Sequence, residues 1–284
     1  MQFSPAPPQT LPLPAGSGRP RFQRAEGVGR VRIHAVGGAS RLHRMYQDGC
    51  AKIRLPRDAD AVGLEAVLIN TAGGLTGDDR LAWTAEAGAG ARLTVTTQAC
   101  ERIYRSNGGP AKVDVQLTVG EGAELHWLPQ ETLLFDQGAL TRSFEADLAA
   151  DARLLCAEAV VLGRTAMGEQ VLNGRLRDRW RVRREGRLVF ADEVRMEGEV
   201  ARLAAAAPLL AGGCAFASLL LMAKDAERRL DAVRATLGEA GGASAFDGKL
   251  FARIVAQDGR ALRRVLIPAL EALRGAALPR VWRT

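Results

Sequence analysis

Only a few side chains in this sequence are of types and spacings that could do chemistry. The histidines are His34, His43 and His126, and no H-x-H, H-E-x-x-H or Cys–His spacing joins them, so a built-in catalytic metal centre is not expected. His126 lies between Leu125 and Trp127 in a period-two run, on the face opposite theirs, which predicts a solvent-facing ring. Cys50, Cys100, Cys156 and Cys214 are scattered without a C-x-x-C pair, which argues against a disulfide scaffold or a zinc site and for small core residues.

The loop Gly73-Gly74-Leu75-Thr76-Gly77-Asp78-Asp79 is rich in glycine but carries no Lys-Ser/Thr, and its two terminal acids would repel phosphate. Two readings stay open for it: a weak cation site, or an acidic turn whose Asp side chains bond their own backbone. No G-x-S-x-G elbow supplies a hydrolase nucleophile, and no other catalytic constellation appears, so an enzyme is not expected. Arg175, Arg177, Arg179, Arg181 and Arg183 share one face of a strand whose other face is Leu176, Asp178, Trp180 and Val182. Such a row fits either a solvated face or a grip on a polyanion, though no stacking aromatics accompany it.

These residues must be positioned by a globular body. The chain has 284 residues, 47% of them hydrophobic and 25% charged, enough for one large core or two modest ones. Its net charge of +7 invites a polyanion partner, but only four basic residues are lysines, and arginine-rich coding in an Ala/Gly-rich chain accounts for the same excess. The first twenty residues hold six of the twelve prolines and no basic start followed by an apolar run. They read as a disordered lead-in over 1–24, and the protein is expected in the cytoplasm.

From Val28 to about Phe190 the dominant period is two, cleanest at Val113, Val115, Leu117 and Val119. Gly88-Ala-Gly-Ala-Arg-Leu93 recurs as Gly120-Glu-Gly-Ala-Glu-Leu125 and, more loosely, as Ala149-Ala-Asp-Ala-Arg-Leu154. A glycine turn feeding a strand at such a period suits a β-solenoid, and ordinary hairpins in a sandwich remain the alternative. Leu203 to Ala223 carries no charge, but Pro208 and Gly212-Gly213 interrupt it, so a buried strand plus turn is expected rather than a membrane span. Ala226, Leu230, Val233 and Leu237 predict one helix, with Asp225 as its N-cap residue, and Asp258 to Leu273 a second that contains Pro268. The fold class is therefore mainly β, with stacked or β-helix-like sheets over 25–200 and a small C-terminal part over 201–284 containing two α-helices.

Five blocks together resemble the urease accessory protein UreD family, also called UreH. They are the glycine loop with Gly73, Gly74 and Gly77; Thr96-Thr97-Gln98-Ala99 leading to Ile103-Tyr104-Arg105-Ser106; and Trp127-Leu128-Pro129-Gln130-Glu131 with Phe135. The fourth is Leu162-Gly163-Arg164 with Gly168-Glu169, and the fifth is Leu278-Pro279-Arg280-Val281-Trp282. Their order and spacing fit from about Val28 to the C-terminus. The family's loop more often has glycine where this chain has Asp78, a residue less at ease with a positive φ.

The resemblance implies a non-enzymatic chaperone that joins UreF and the GTPase UreG, docks on apo-urease and helps nickel reach the buried urease site. It implies no tightly bound cofactor, with nickel only in transit, and neither a nucleic acid nor a membrane as partner. A conduit that releases Ni²⁺ needs oxygen ligands rather than thiolates or paired imidazoles. By motif, the acids carried over to that path are Asp79, Glu158 and Asp192. The last two lie in apolar stretches, where an unpaired buried acid would be costly. The runner-up function is a β-rich polyanion-binding protein that uses the arginine row.

Overall fold

A computed structural model describes residues 23–56, 63–164 and 168–283. The proposed lead-in over 1–24 lies almost wholly outside the described residues. Among the described residues, seventeen strands and three α-helices are arranged in three layers. The strands are β1 (Glu26–Val36), β2 (Ala39–Gly49), β3 (Ala51–Arg54), β4 (Leu64–Asn70), β5 (Arg80–Ala87), β6 (Arg92–Thr97), β7 (Glu101–Ile103), β8 (Ala111–Val119) and β9 (Glu124–Leu128). They continue as β10 (Thr132–Leu134), β11 (Ala139–Leu148), β12 (Arg153–Leu162), β13 (Gly174–Arg184), β14 (Arg187–Gly198), β15 (Ala215–Met222), β16 (Gly241–Phe246) and β17 (Lys249–Ala256). The helices are α1 (Val200–Ala205), α2 (Leu230–Leu237) and α3 (Gly259–Arg274).

The middle of the chain is a β-solenoid. In one sheet β1, β5, β8, β11 and β13 run parallel, with β2 and β14 as antiparallel edges; in the other β4, β6, β9 and β12 run parallel. The recurring glycine turns join the two sheets and stack on one another. Glu124 N donates to Ala91 O and Arg153 N to Ala123 O, each at 2.9 Å, while Gly90 N donates to Glu121 O at 2.8 Å. Each turn thus satisfies its neighbour's backbone groups, as a repeat at this period requires. The period-two residues Val115, Leu117 and Val119, with Leu176, Trp180 and Val182, point into the core between the sheets.

The second sheet is buried on both faces. β15, β17 and β16 extend it antiparallel beyond β12, and α2 and α3 cover its outer face. Leu262, Leu266, Leu270 and Leu273 of α3 pack against that face, each contributing about 1.5–3 kcal/mol by leaving water. The Asp258 carboxylate caps α3 by accepting from Ala261 N at 2.7 Å, and Gly275 ends it at φ +73°.

Three local expectations need correction. The uncharged run starts inside an additional helix, α1, before its turn and strand, because Pro208 lies beyond the helix end at Ala205 and leaves room for six helical residues. Asp225 does not cap α2, which is preceded by a 3₁₀ turn; the carboxylate instead pairs with Arg153 and Arg229. His126 is 1% exposed rather than solvent-facing, because α3 covers that face of β9. Among the described residues no helix is long and apolar enough to cross a membrane.

Candidate functional site

Two of the five sequence blocks, with Tyr104 and Phe135, meet along one corner of the solenoid. Leu75 N donates to Arg102 O and Tyr104 N to Leu75 O, both at 2.7 Å; Phe135 N then bonds Ile103 O, and Gly163 N bonds Leu134 O. The blocks are therefore successive rungs of one ladder. Gly74 has φ +145°, and a Cβ there would strike the Tyr104 ring, so the loop needs glycine where the aromatic lies over it. Tyr104 packs on Phe135 at 5.3 Å between ring centres, and the Arg164 guanidinium lies 4.6 Å from the Phe135 ring centre while pairing with Glu169 at 2.5 Å. Gly163 and Gly168, next to Arg164 and Glu169, take positive φ, and Arg105 bridges to Gly138.

Asp79 sits beside this corner and is 3% exposed. Its Oδ1 accepts from Ala25 N at 2.8 Å and its Oδ2 from Thr76 N at 2.7 Å, so both oxygens tie the glycine loop to the start of β1. Asp78 takes φ +67°, the conformation its glycine-replacing position calls for, and accepts from Gly109 N at 3.2 Å.

The remaining blocks converge under α3. Gln130 donates to the carbonyls of Thr97 and Gln98 at 3.1 and 2.9 Å, while its Oε1 accepts from Arg263. Glu131 accepts Arg263 Nε at 2.6 Å and Nη2 at 3.1 Å, and the buried Pro129 precedes the pair. Trp282 donates to Thr96 Oγ1 and Leu128 O, closing the same latch from the chain's end. Cys100 donates to Glu131 at 3.3 Å, and burial, with the Glu131 charge beside it, pushes the Cys100 thiol up to about 11, so it stays protonated at neutral pH. His126 is enclosed here too, between Glu124 and Arg274, and burial lowers its pKa despite the Glu124 hydrogen bond.

Between the two sheets lies a buried charged cluster. Glu158 on β12 accepts from Trp127 Nε1 at 2.9 Å, and its other oxygen is 2.5 Å from Arg142 Nη1, close as an ion pair but outside hydrogen-bond geometry. Arg142 on β11 forks onto Asp178 of β13 at 3.0 and 2.5 Å and reaches Thr132, while Trp180 donates to Asp178 at 3.2 Å. One guanidinium thus serves two carboxylates, all three groups buried. Desolvation raises the Glu158 pKa, opposed by Arg142 and reinforced by the Asp178 charge.

Asp192 belongs to neither cluster. It is half-buried on the edge strand β14, and Arg253 of β17 holds both its oxygens at 2.7–2.8 Å, joining the two sheets. Asp79, Glu158 and Asp192 therefore have separate partners, and among the described residues no group of three His, Cys, Asp or Glu side chains is placed to hold a metal ion. The arginine row is largely neutralised: Arg175 pairs with Glu197, Arg177 with Glu193, and Arg179 and Arg183 with Glu145, while Arg181 bonds backbone carbonyls. This face offers a polyanion little free charge.

Sequence reading missed Arg142 and Arg263. Arg142 had a visible signal, a charge within the inward stripe Leu140, Phe144, Ala146 and Leu148 of β11. Arg263 had none, because its partners lie 132 and 133 residues away.

Known proteins are similar to this chain along nearly its whole length. A family model described as "UreD urease accessory protein" matches residues 25–283. Proteins named "Urease accessory protein UreD" are similar over nearly their full length. One from Agrobacterium fabrum is 52% identical, covering 92% of each chain, and one from Rhizobium leguminosarum bv. viciae is 53% identical, covering 94% of this chain and 98% of the relative. One from Chelativorans sp. is 52% identical over 92% of this chain and 95% of its own.

Proposed function

We propose a function from one premise: the chain belongs to the UreD urease accessory protein family. It acts as a non-catalytic escort in the cytoplasm, joining UreF and the GTPase UreG, docking with them on apo-urease and helping nickel reach the urease site. Nickel is cargo here, not a resident cofactor.

The observation that carries this reading is the pair of carboxylates, Glu158 and Asp178, buried around a single guanidinium between the sheets. Carboxylate oxygens bind Ni²⁺ weakly enough to release it, whereas the buried thiols of this chain are held protonated. When Glu158 ionises, the interior cluster holds two carboxylates around one guanidinium and favours a passing divalent cation, which Arg142 yields to by turning to Asp178 alone. Asp79 and Asp192 remain on the proposed path at a cost, since Asp79 must release two backbone N–H groups and Asp192 the Arg253 Nη2 that spans both its oxygens before either could bind an ion.

The test compares Glu158→Gln, Asp79→Asn and Asp192→Asn for urease activation in nickel-limited cells, with assembly of the accessory complex measured alongside. Glu158→Gln is expected to lower activation several-fold with assembly intact. Normal activation by all three variants would remove the interior path.

A further inference from the structure

The two histidines outside the core form a pair that the function above does not use. His34 lies on β1 and His43 on the edge strand β2, and their ring centres are 5.1 Å apart with the planes at 89°. The register explains the meeting. Arg32 faces Arg44 and Ile33 faces Leu42, so β2 carries one extra residue at this point, His43, and the bulge turns its ring onto the face that His34 occupies.

The state of the ring nitrogens is informative. His34 Nδ1 is buried without a hydrogen-bond partner, whereas Nε2 of the same ring keeps contact with solvent. Among the described residues no hydrogen bond engages either imidazole, and His43 is exposed. Two perpendicular rings, their nitrogens uncommitted, therefore lie in contact. An ion about 2.1 Å from one nitrogen of each ring would sit about 3.2 Å from each ring centre. Rings 5.1 Å apart then subtend roughly 105° at the ion, between the angles of octahedral and tetrahedral coordination.

We propose that His34 and His43 form a surface site for a borderline divalent transition-metal ion of the Ni²⁺, Cu²⁺ or Zn²⁺ class, bound through one nitrogen of each ring with water completing the shell. Imidazole is the protein ligand suited to these ions. The site has no third protein ligand, and Arg32, Arg41 and Arg44 crowd the same two strands, Arg32 being paired with Glu86 at 3.0 Å. Binding is correspondingly weak and exchange fast, the behaviour of an acceptor rather than a store. Nothing in this proposal depends on the interior carboxylates or on urease, so it stands or falls independently of the function proposed above.

The experiment labels histidine selectively with ¹⁵N in the full chain, whose three imidazoles can be resolved, and titrates with Zn²⁺ and then Ni²⁺. Zn²⁺ is expected to shift two rings together along one fast-exchange binding curve that saturates only in excess Zn²⁺, and Ni²⁺ to broaden the same two, while the enclosed His126 ring stays unmoved. In His43→Gln, whose site is exposed and tolerant, the His34 shift should be lost, and in His34→Gln the His43 shift should be lost. Rings unmoved at tenfold excess of Zn²⁺, or a His34 shift of equal size in His43→Gln, would overturn the proposal; the ring readout is insensitive to ions taken up by the cysteines.

Discussion

Arg263 of α3 and Glu131 beside β10 form a two-point ion pair, at 2.6 and 3.1 Å, across 132 residues of chain. The W-L-P-Q-E block that carries much of the family resemblance is therefore a latch. Its Gln130 holds the end of β6, its Glu131 holds α3, and its Trp127 reaches the interior carboxylate Glu158. One short segment thus fixes the helical layer to the solenoid and the solenoid to its buried charges.

Removing one side of the latch leaves a charge 3% exposed with only a thiol donor. Arg263→Ala is expected to cost about 2 kcal/mol of stability. Arg263→Lys, which keeps the charge and loses the fork, should cost less. Urea denaturation of the two variants and the parent orders them; an Arg263→Ala protein as stable as the parent would contradict the latch.

The interior cluster should be more sensitive. Arg142→Ala leaves two carboxylates buried without their shared cation and is expected to cost about 3–5 kcal/mol. Replacing Arg142, Glu158 and Asp178 together by apolar residues of similar volume should recover most of that loss, which thermal unfolding of the single and triple variants measures.

Two carboxyls, Glu158 in the cluster and Glu101 outside it, also set a pH dependence. Burial raises the Glu158 pKa and pushes Glu101, where Asn70 donates to the carboxylate, up to about 7, against an ordinary value of 4.5. Between these values the folded chain holds more protons than the unfolded one, so these two groups lower stability as pH rises from about 4.5 to about 7, with no further change above. Glu158→Gln and Glu101→Gln should each flatten that slope in denaturation midpoints taken across this range. An unchanged slope in both would show that the carboxyls ionise normally.

At the glycine loop, Asp78→Gly should relieve the left-handed backbone while giving up the bond from Gly109 N, leaving stability within about 0.5 kcal/mol of the parent. Asp78→Val loses that bond and gains strain, and should cost about 1–2 kcal/mol more. An Asp78→Val protein as stable as the parent would mean the loop relaxes to another conformation; circular dichroism melts of both variants decide it.

Much of the fold was legible because it is local. The period-two stripes of β8 and β13 and the recurring glycine turns state the solenoid in the sequence itself, and the spacing of Leu262, Leu266 and Leu273 states α3. What escaped depends on what covers a face. His126 reads as exposed only if β9 has one wet side, and α3, more than a hundred residues later, removes it. Asp192 reads as buried beside Val189 and Phe190, yet β14 is an edge strand, and its carboxylate answers to Arg253 on a distant strand. Glu158 was visible as an acid in an apolar run, but its shared cation, Arg142, arrives from the facing sheet.

The central claim, that this chain serves the nickel loading of urease, is tested most directly by urease activity and urease-bound nickel in cells carrying the urease operon with this one gene deleted and then restored. The account predicts abundant, nickel-poor and inactive urease on deletion, with both nickel and activity recovered on restoration. Fully metallated, active urease in the deletion strain would contradict it.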